Sequence, residues 1–325
     1  MRTIQTMNGA VPAENLGPTL MHEHFLYGYA GFQGDETLGG FDEETVLKEC
    51  LEAAELAKSY GIQTVVDATT NECGRNVRFL KKLQEITGLN IICSTGYYFE
   101  AESAYAYWEF RDKMTDIGAE ILEMYRKELM EGIGNTGIRA GVIKLASSYQ
   151  QISPIEEKFF VAAGKAQKET GCNIITHTQL GTMGPEQALL LVNNGADPRR
   201  IAIGHMCGNT DVDYHREVLS HGVYVNLDRF GLEGELFHTP TDWERIDLIE
   251  RLLDAGYEDR ILLGHDSVIH QLGRPNVMND IMQEALANAN IGDIGFRVLP
   301  EMKKRGISDE TIHKFLVENP ARFFG

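Results

Sequence analysis

No stretch of the 325 residues reaches the roughly 18 uninterrupted apolar residues that a membrane-crossing helix requires, so a membrane is not expected among the partners. No C-x-x-C pair occurs either. The five cysteines (Cys50, Cys73, Cys93, Cys172 and Cys207) are odd in number and scattered, which argues against both a disulfide framework and a structural zinc site. Basic residues are scarce: 30 Lys and Arg stand against 48 Asp and Glu, a formal net charge of −18 that disfavours nucleic acid and anionic lipid. A neutral small molecule or a metal cation remains compatible. No low-complexity segment, linker or break in composition divides the chain, so residues 1–325 are expected to form one domain. The opening "MRTIQTMNGAVP" carries no apolar signal region, and a cytoplasmic location is expected.

What is present is a rhythm. Short apolar, β-branched runs fall at 19–26, 64–69, 90–96, 140–147, 173–178, 200–206, 222–228 and 260–266, separated by longer segments of helical period. Residues 42–60 place Val46, Leu47, Cys50, Leu51, Ala54 and Ala57 on one helical face, with Gly61 as a stop. Further helices are expected at 114–131, 155–170, 185–194, 211–221 and 242–255. Alternating strands and helices build a parallel sheet, and eight units predict a closed (β/α)8 TIM barrel, with a doubly wound open sheet as the second choice. Residues 1–16, with a turn at Asn8-Gly9, read as a short β-hairpin ahead of the barrel.

The ends of these strands carry the chemistry. In "TLMHEHFLYGY" His22 and His24 are one residue apart in a strand, so both rings project to one face in chelating geometry. Two core histidines satisfied by hydrogen bonds are the alternative. Lys144, His177, His205 and Asp266 end four other strands, and in a barrel those ends converge on one mouth. Four imidazoles and a carboxylate exceed what one four-coordinate catalytic zinc uses, so two divalent ions are implied, a pair able to hold a bridging hydroxide at neutral pH. Lys144 is awkward beside dications, because an ammonium is repelled and has no lone pair to give. Addition of carbon dioxide to its amine would give a bidentate, anionic carbamate; a buried lysine paired with a carboxylate is the alternative.

Together "GPTLMHEHFL", "GVIKLASS", "IITHTQLGTMGPEQA", "IGHMCGNTD", "DRFG" and "GHDS" resemble the phosphotriesterase family of the amidohydrolase superfamily, and within it the phosphotriesterase-like lactonases. The resemblance implies that His22, His24 and Asp266 bind a buried metal and His177 and His205 an exposed one. Carboxylated Lys144 and a hydroxide would bridge the two, with zinc, cobalt, iron or manganese as the ions. It further implies that Tyr98 in "STGYYFE" lies beside the metals, that Arg229 lies at the pocket wall, and that the protein is a homodimer. The expected reaction is ring opening of a lactone, N-acyl-homoserine or alkyl-substituted, with Tyr98 helping to stabilise the oxyanion and Asp266 carrying the proton. An organophosphate triester resembles the tetrahedral intermediate of that reaction and would be a slower substrate of the same site. A dedicated phosphotriesterase, a cyclic-amide hydrolase and a non-catalytic ligand-binding barrel are the rivals.

Other features carry less. His265 should point away from the interior if Asp266 points in. Cys207 reads as a small buried residue, and His215, His221 and His313 as surface residues of helices, while His238 and His270 fall near the mouth. Pro185 reads as a helix start. The stretch after strand 8 carries Val268, Ile269, Leu272, Val277, Met278, Ile281 and Met282, and is expected either to cover the site, suiting an acyl chain, or to pack outside the barrel. Gln271 stands where lactonases of this kind often have a large aromatic residue.

Overall fold

In the computed structural model, which describes residues 2–325, β1 (Thr3–Thr6) and β2 (Gly9–Pro12) form the expected antiparallel hairpin. Gly9 accepts a left-handed φ of +106° at the turn, which a side chain would oppose. Parallel strands follow: β3 (Thr19–Tyr27), β4 (Thr64–Asp67), β5 (Asn90–Gly96), β6 (Val142–Ser147), β7 (Asn173–Thr178), β8 (Ile201–Ile203) and β9 (Tyr224–Leu227). Two more, β10 (Ile261–Leu263) and β11 (Ser267–Gln271), stand at opposite ends of one nine-stranded sheet, β10 against β9 and β11 against β3. Only Gly264, His265 and Asp266 separate them, so they are two halves of the last barrel strand, and the Asp266 N–H donates to the His22 carbonyl at 3.0 Å across the seam. The nine strands thus make a closed (β/α)8 barrel with eight positions. The second half of that strand falls where the sequence predicts loop.

The barrel floor has the same count. Met21, Val66, Ile92, Val142, Ile175, Ala202, Tyr224 and Leu262, one per barrel position, form a single buried cluster with Phe323 and Phe324 of the C-terminal helix. Because side chains alternate, Lys144 and His177 emerge on the same inner face two residues above Val142 and Ile175. In β3 the register with β4 shifts between Leu20 and Glu23, which lets Met21 and His22 both serve the interior.

Outside lie α1 (Glu43–Ser59), α2 (Val77–Thr87), α3 (Tyr105–Asp112), α4 (Ile117–Met130), α5 (Pro154–Thr170), α6 (Gly184–Asn193), α7 (Val212–Ser220) and α8 (Asp242–Asp254). All but α3 and α6 start at a side chain that satisfies a free N–H group, and Ser153 with Glu156 and Thr241 with Glu244 form reciprocal capping boxes. The six predicted helices are found within a residue or a few at each end, and Pro185 stands in the first turn of α6. α2 and α3 are additions, although α2 bears the usual marks, Asn76 as N-cap and left-handed Gly88 as stop. No helix among the described residues is long and apolar enough to cross a membrane.

Of the two alternatives for the stretch after strand 8, covering the site is the one that Val277, Met278 and Met282 follow. Residues 272–290, including the short α9 (Asp280–Ala285), stand over the mouth, whereas Ile294 onward is helical with Ile294, Val298 and Met302 buried.

Candidate metal centre

His22, His24, Lys144, His177 and His205 are all more than nine-tenths buried, on four strands that no short-range constraint brings together, and Asp266 stands among them. The floor of this space tolerates no side chain at Gly96, where a Cβ would sit 1.8 Å from the Lys144 carbonyl oxygen.

The donor atoms of the imidazoles are fixed by what their other nitrogens touch. His22 Nδ1 lies 2.7 Å from Asp228 Oδ2 and His205 Nδ1 lies 3.0 Å from Asp228 Oδ1. Burial alone would raise the Asp228 carboxyl, but the two imidazoles hold it well below the usual range, so it is ionised and can only accept. Both rings therefore carry their proton on Nδ1 and turn an Nε2 lone pair inward. His24 Nδ1 meets Thr69 Oγ1 at 2.8 Å, and since that hydroxyl donates to the Leu26 carbonyl at 2.9 Å, it accepts from His24. His177 is the reverse case. Its Nε2 lies 2.7 Å from Gln179 Oε1, a carbonyl oxygen, leaving a buried Nδ1 with no hydrogen-bond partner. Burial pushes the His205 imidazole down to about 3 and the His177 imidazole well below its ordinary value, so both are neutral donors.

Asp266 stands between the two sets. Its Oδ1 lies 3.1 Å from His24 Nε2 and 3.3 Å from His22 Nε2, while its Oδ2 accepts from Arg229 Nε at 3.0 Å and lies 3.7 Å from His205 Nε2. Burial would raise this carboxyl, yet the His205 and His22 imidazoles and the Arg229 guanidinium hold it well below the carboxylate range. Its φ is +57°, and that of His205 is +55°. A left-handed backbone at a non-glycine residue costs on the order of 1 kcal/mol or more, which the surroundings must offset. His22, His205 and Asp266 offer ligand atoms within 4.8 Å of one another.

Lys144 Nζ lies 3.2 Å from His22 Nε2 and donates to the Thr176 carbonyl at 3.1 Å; it forms no ion pair with a carboxylate among the described residues. Burial lowers its ammonium to about 8, which makes the neutral, nucleophilic amine accessible near physiological pH. Tyr98 stacks edge-on against His177 with ring centroids 4.8 Å apart, and its backbone N–H donates to the buried Glu72 carboxylate at 2.7 Å. Above the cluster opens a cavity of about 850 Å³, walled by Tyr27, Tyr98 and Arg229 on one side and by Val268, Met278 and Met282 on the other.

This donor set suits divalent transition metals: neutral imidazole lone pairs, one of them buried without a partner, together with a carboxylate and an amine. Of the remaining histidines, His265 points away from the cavity as expected and His313 is exposed, but His215 is buried, its Nε2 2.8 Å from the Asn209 carbonyl. His238 and His270 do not line the cavity; His270 pairs with Glu49 instead. Cys207 is buried in the core. Sequence reasoning misses Asp228, although it ends a predicted strand and precedes Arg229. It also passes over Thr69 and Glu72, whose roles depend on partners from other strands.

Three comparisons show what the chain is similar to. The family model described as the phosphotriesterase family matches residues 2–324. The chain is similar to a solved organophosphorus hydrolase from Deinococcus radiodurans, with a TM-score of 0.98 and 52% identity over 100% of this chain and 97% of that one. A mutant of a phosphotriesterase-like lactonase from the same organism gives 0.97 and 52% over 99% and 100%. Among curated proteins, an aryldialkylphosphatase of Saccharolobus solfataricus is 31% identical over 320 residues, 97% of each chain.

Proposed function

The chain belongs to the phosphotriesterase family of metal-dependent hydrolases, and from that premise we propose that it is a lactonase with two divalent metal ions and a slower organophosphate-hydrolysing activity. The observation that carries the reading is the inward set of groups: Nε2 of His22, His24 and His205, the unpartnered Nδ1 of His177, Lys144 Nζ and the Asp266 carboxylate. His22, His24 and Asp266 would hold one ion and His177 and His205 the other, with Lys144, carboxylated by carbon dioxide, shared between them. Zinc leads among the ions that favour such donors, with cobalt, iron and manganese behind it. Bound there, the ions supply Lewis-acid polarisation of the ester and a nucleophilic hydroxide at neutral pH.

The chain's own groups do the rest. Tyr98, whose hydroxyl burial keeps protonated, donates to the carbonyl oxygen as charge develops on it. Asp266 accepts the proton of the nucleophile on one of its oxygens and delivers it to the leaving alkoxide. Arg229 holds Oδ2 of that carboxylate and keeps it ionised until the proton arrives. The apolar wall of Val268, Met278 and Met282 receives the acyl or alkyl substituent of the lactone. Five free cysteines accord with a reducing, cytoplasmic setting, and a homodimer completes the proposal.

The test is a panel of lactones and phosphotriesters on metal-replete protein. Lactones should be favoured in kcat/KM by at least about a hundredfold, roughly 2.7 kcal/mol. The reverse ranking would make this a dedicated phosphotriesterase, the reading that the similarity to an aryldialkylphosphatase favours. Elemental analysis should find two ions per chain; one or none after supplementation refutes the paired centre.

A further inference from the structure

Between the two histidines of β3 lies Glu23, a fully buried carboxylate to which the reaction gives no part. Alternation along the strand turns it away from His22 and His24, toward the backbone of the last barrel strand. Its Oε1 accepts from the His265 N–H at 2.9 Å and from His265 Nδ1 at 2.7 Å; its Oε2 accepts from the Ser267 N–H at 3.1 Å and from the Ser267 hydroxyl. The residue enclosed by these four bonds is Asp266. His265 is itself fixed, because its Nε2 accepts the Ile294 N–H at 2.9 Å and so leaves the ring proton on Nδ1, facing Glu23. Three successive N–H groups, those of 265, 266 and 267, thus end on two neighbouring residues of β3. In between, the chain makes the left-handed excursion at Asp266 that splits β10 from β11.

We propose that Glu23 is a positioning residue: by gripping both neighbours of Asp266 it holds the left-handed backbone there and so aims the Asp266 carboxylate at the metal-binding imidazoles. The inference rests on the role given to Asp266 under the proposed function. A buried carboxylate that accepts four donors needs no such neighbour for the fold alone; β11 pairs with β3 through three further positions beyond Glu23 and Ser267. What Glu23 adds is control of the three residues that do not pair as strand. It acts through Asp266 and touches neither substrate nor cavity.

The test is Glu23→Gln in the full-length, metal-replete protein, compared with wild type for lactone kcat, KM and metal dissociation by chelator competition. The amide keeps the size and one acceptor oxygen but turns N–H groups toward donors. The expected result is a kcat at least tenfold lower, KM within twofold, and metal held about 10- to 100-fold more weakly, as for the loss of a group that orients a ligand. A role confined to fold stability would lower the melting temperature and leave kcat and metal affinity per folded molecule within twofold, and that result overturns the proposal. Should Glu23→Gln fail to fold, Ser267→Ala removes one donor from the same carboxylate. Its kcat should fall about threefold or more at unchanged KM, and wild-type kinetics there overturn the proposal equally. Wild-type protein that binds metal and opens no lactone would count against the proposed function instead, and metal affinity still reports on Glu23 in that case.

Discussion

The strand ends and the rim above them are built on opposite terms. At the strand ends the imidazoles are buried and every functional group is tied: Asp228 holds two imidazoles, Thr69 a third, Gln179 the fourth, and Glu23 encloses Asp266. At the rim, α9 has no buried residue, Val277 is fully exposed and Ile281 is 70% exposed. Leu232 and Phe237, both only partly buried, line the cavity from the loop after β9. On the proposed function the lower layer would fix which bond is attacked, because lone pairs must be aimed to within tenths of an ångström. On the proposed function the upper layer would meet the variable part of the substrate, where loose apolar contact suffices and change costs little stability.

Perturbing each layer should therefore give effects of different kind. Lys144→Ala should be the most damaging, with loss of metal by elemental analysis and turnover down about a thousandfold or more, the scale of several kcal/mol from metal catalysis. Small carboxylic acids supplied with metal should restore part of both, whereas wild-type turnover in the variant would make the lysine structural. Next comes Tyr98→Phe, in which one oxyanion donor is lost; lactone kcat/KM should fall by roughly a hundredfold, on the order of 3 kcal/mol. Hydrolysis of a phosphotriester with a phenolate leaving group should fall less, and an unchanged ratio of the two activities removes Tyr98 from the lactone step. Asp228→Ala frees two ring nitrogens at once and should weaken metal binding about 10- to 100-fold in a chelator titration, lowering activity at limiting metal more than at saturating metal. Smallest should be the double change Val277→Ser with Met282→Ser, both at the cavity. Steady-state kinetics should show kcat on a short lactone unchanged within about twofold and KM for a long-chain lactone raised severalfold, since each buried methylene is worth ~0.8 kcal/mol. Equal losses on both substrates would erase the distinction between the layers.

The same division explains what could be read from the chain. His22, His24, Lys144, His177, His205 and Asp266 are legible because each is a metal-binding or cationic type at the end of an apolar run, and eight such runs dictate convergence. Asp228 has no such signature: an aspartate ending a strand is common, and its task exists only once β3 and β8 bring His22 and His205 to it. Glu23 reads as a spacer between two histidines until the last strand arrives. His215 looks like a surface residue from the helical period, but the loop before α7 folds back so that the Asn209 carbonyl meets its ring. β11 is missed because the left-handed turn at Asp266 hides the continuation of a strand, and "SVIHQ" is too short to declare itself. The rim is the least legible of all, for its apolar residues carry no period that tells a cover from an outer helix.

One consequence of the split last strand concerns synthesis rather than chemistry. His24 and Asp266 touch across 242 positions of sequence, so the barrel's seam is among the last contacts a chain made from its N-terminus can form. A chain that stops short of residue 266 would lack the carboxylate that stands among His22, His24 and His205, and a chain that fails to shut would hold it far from those partners. On the proposed function, hydrolysis would then begin only with the closing of the ring, and an unfinished copy would be silent instead of weakly and indiscriminately active.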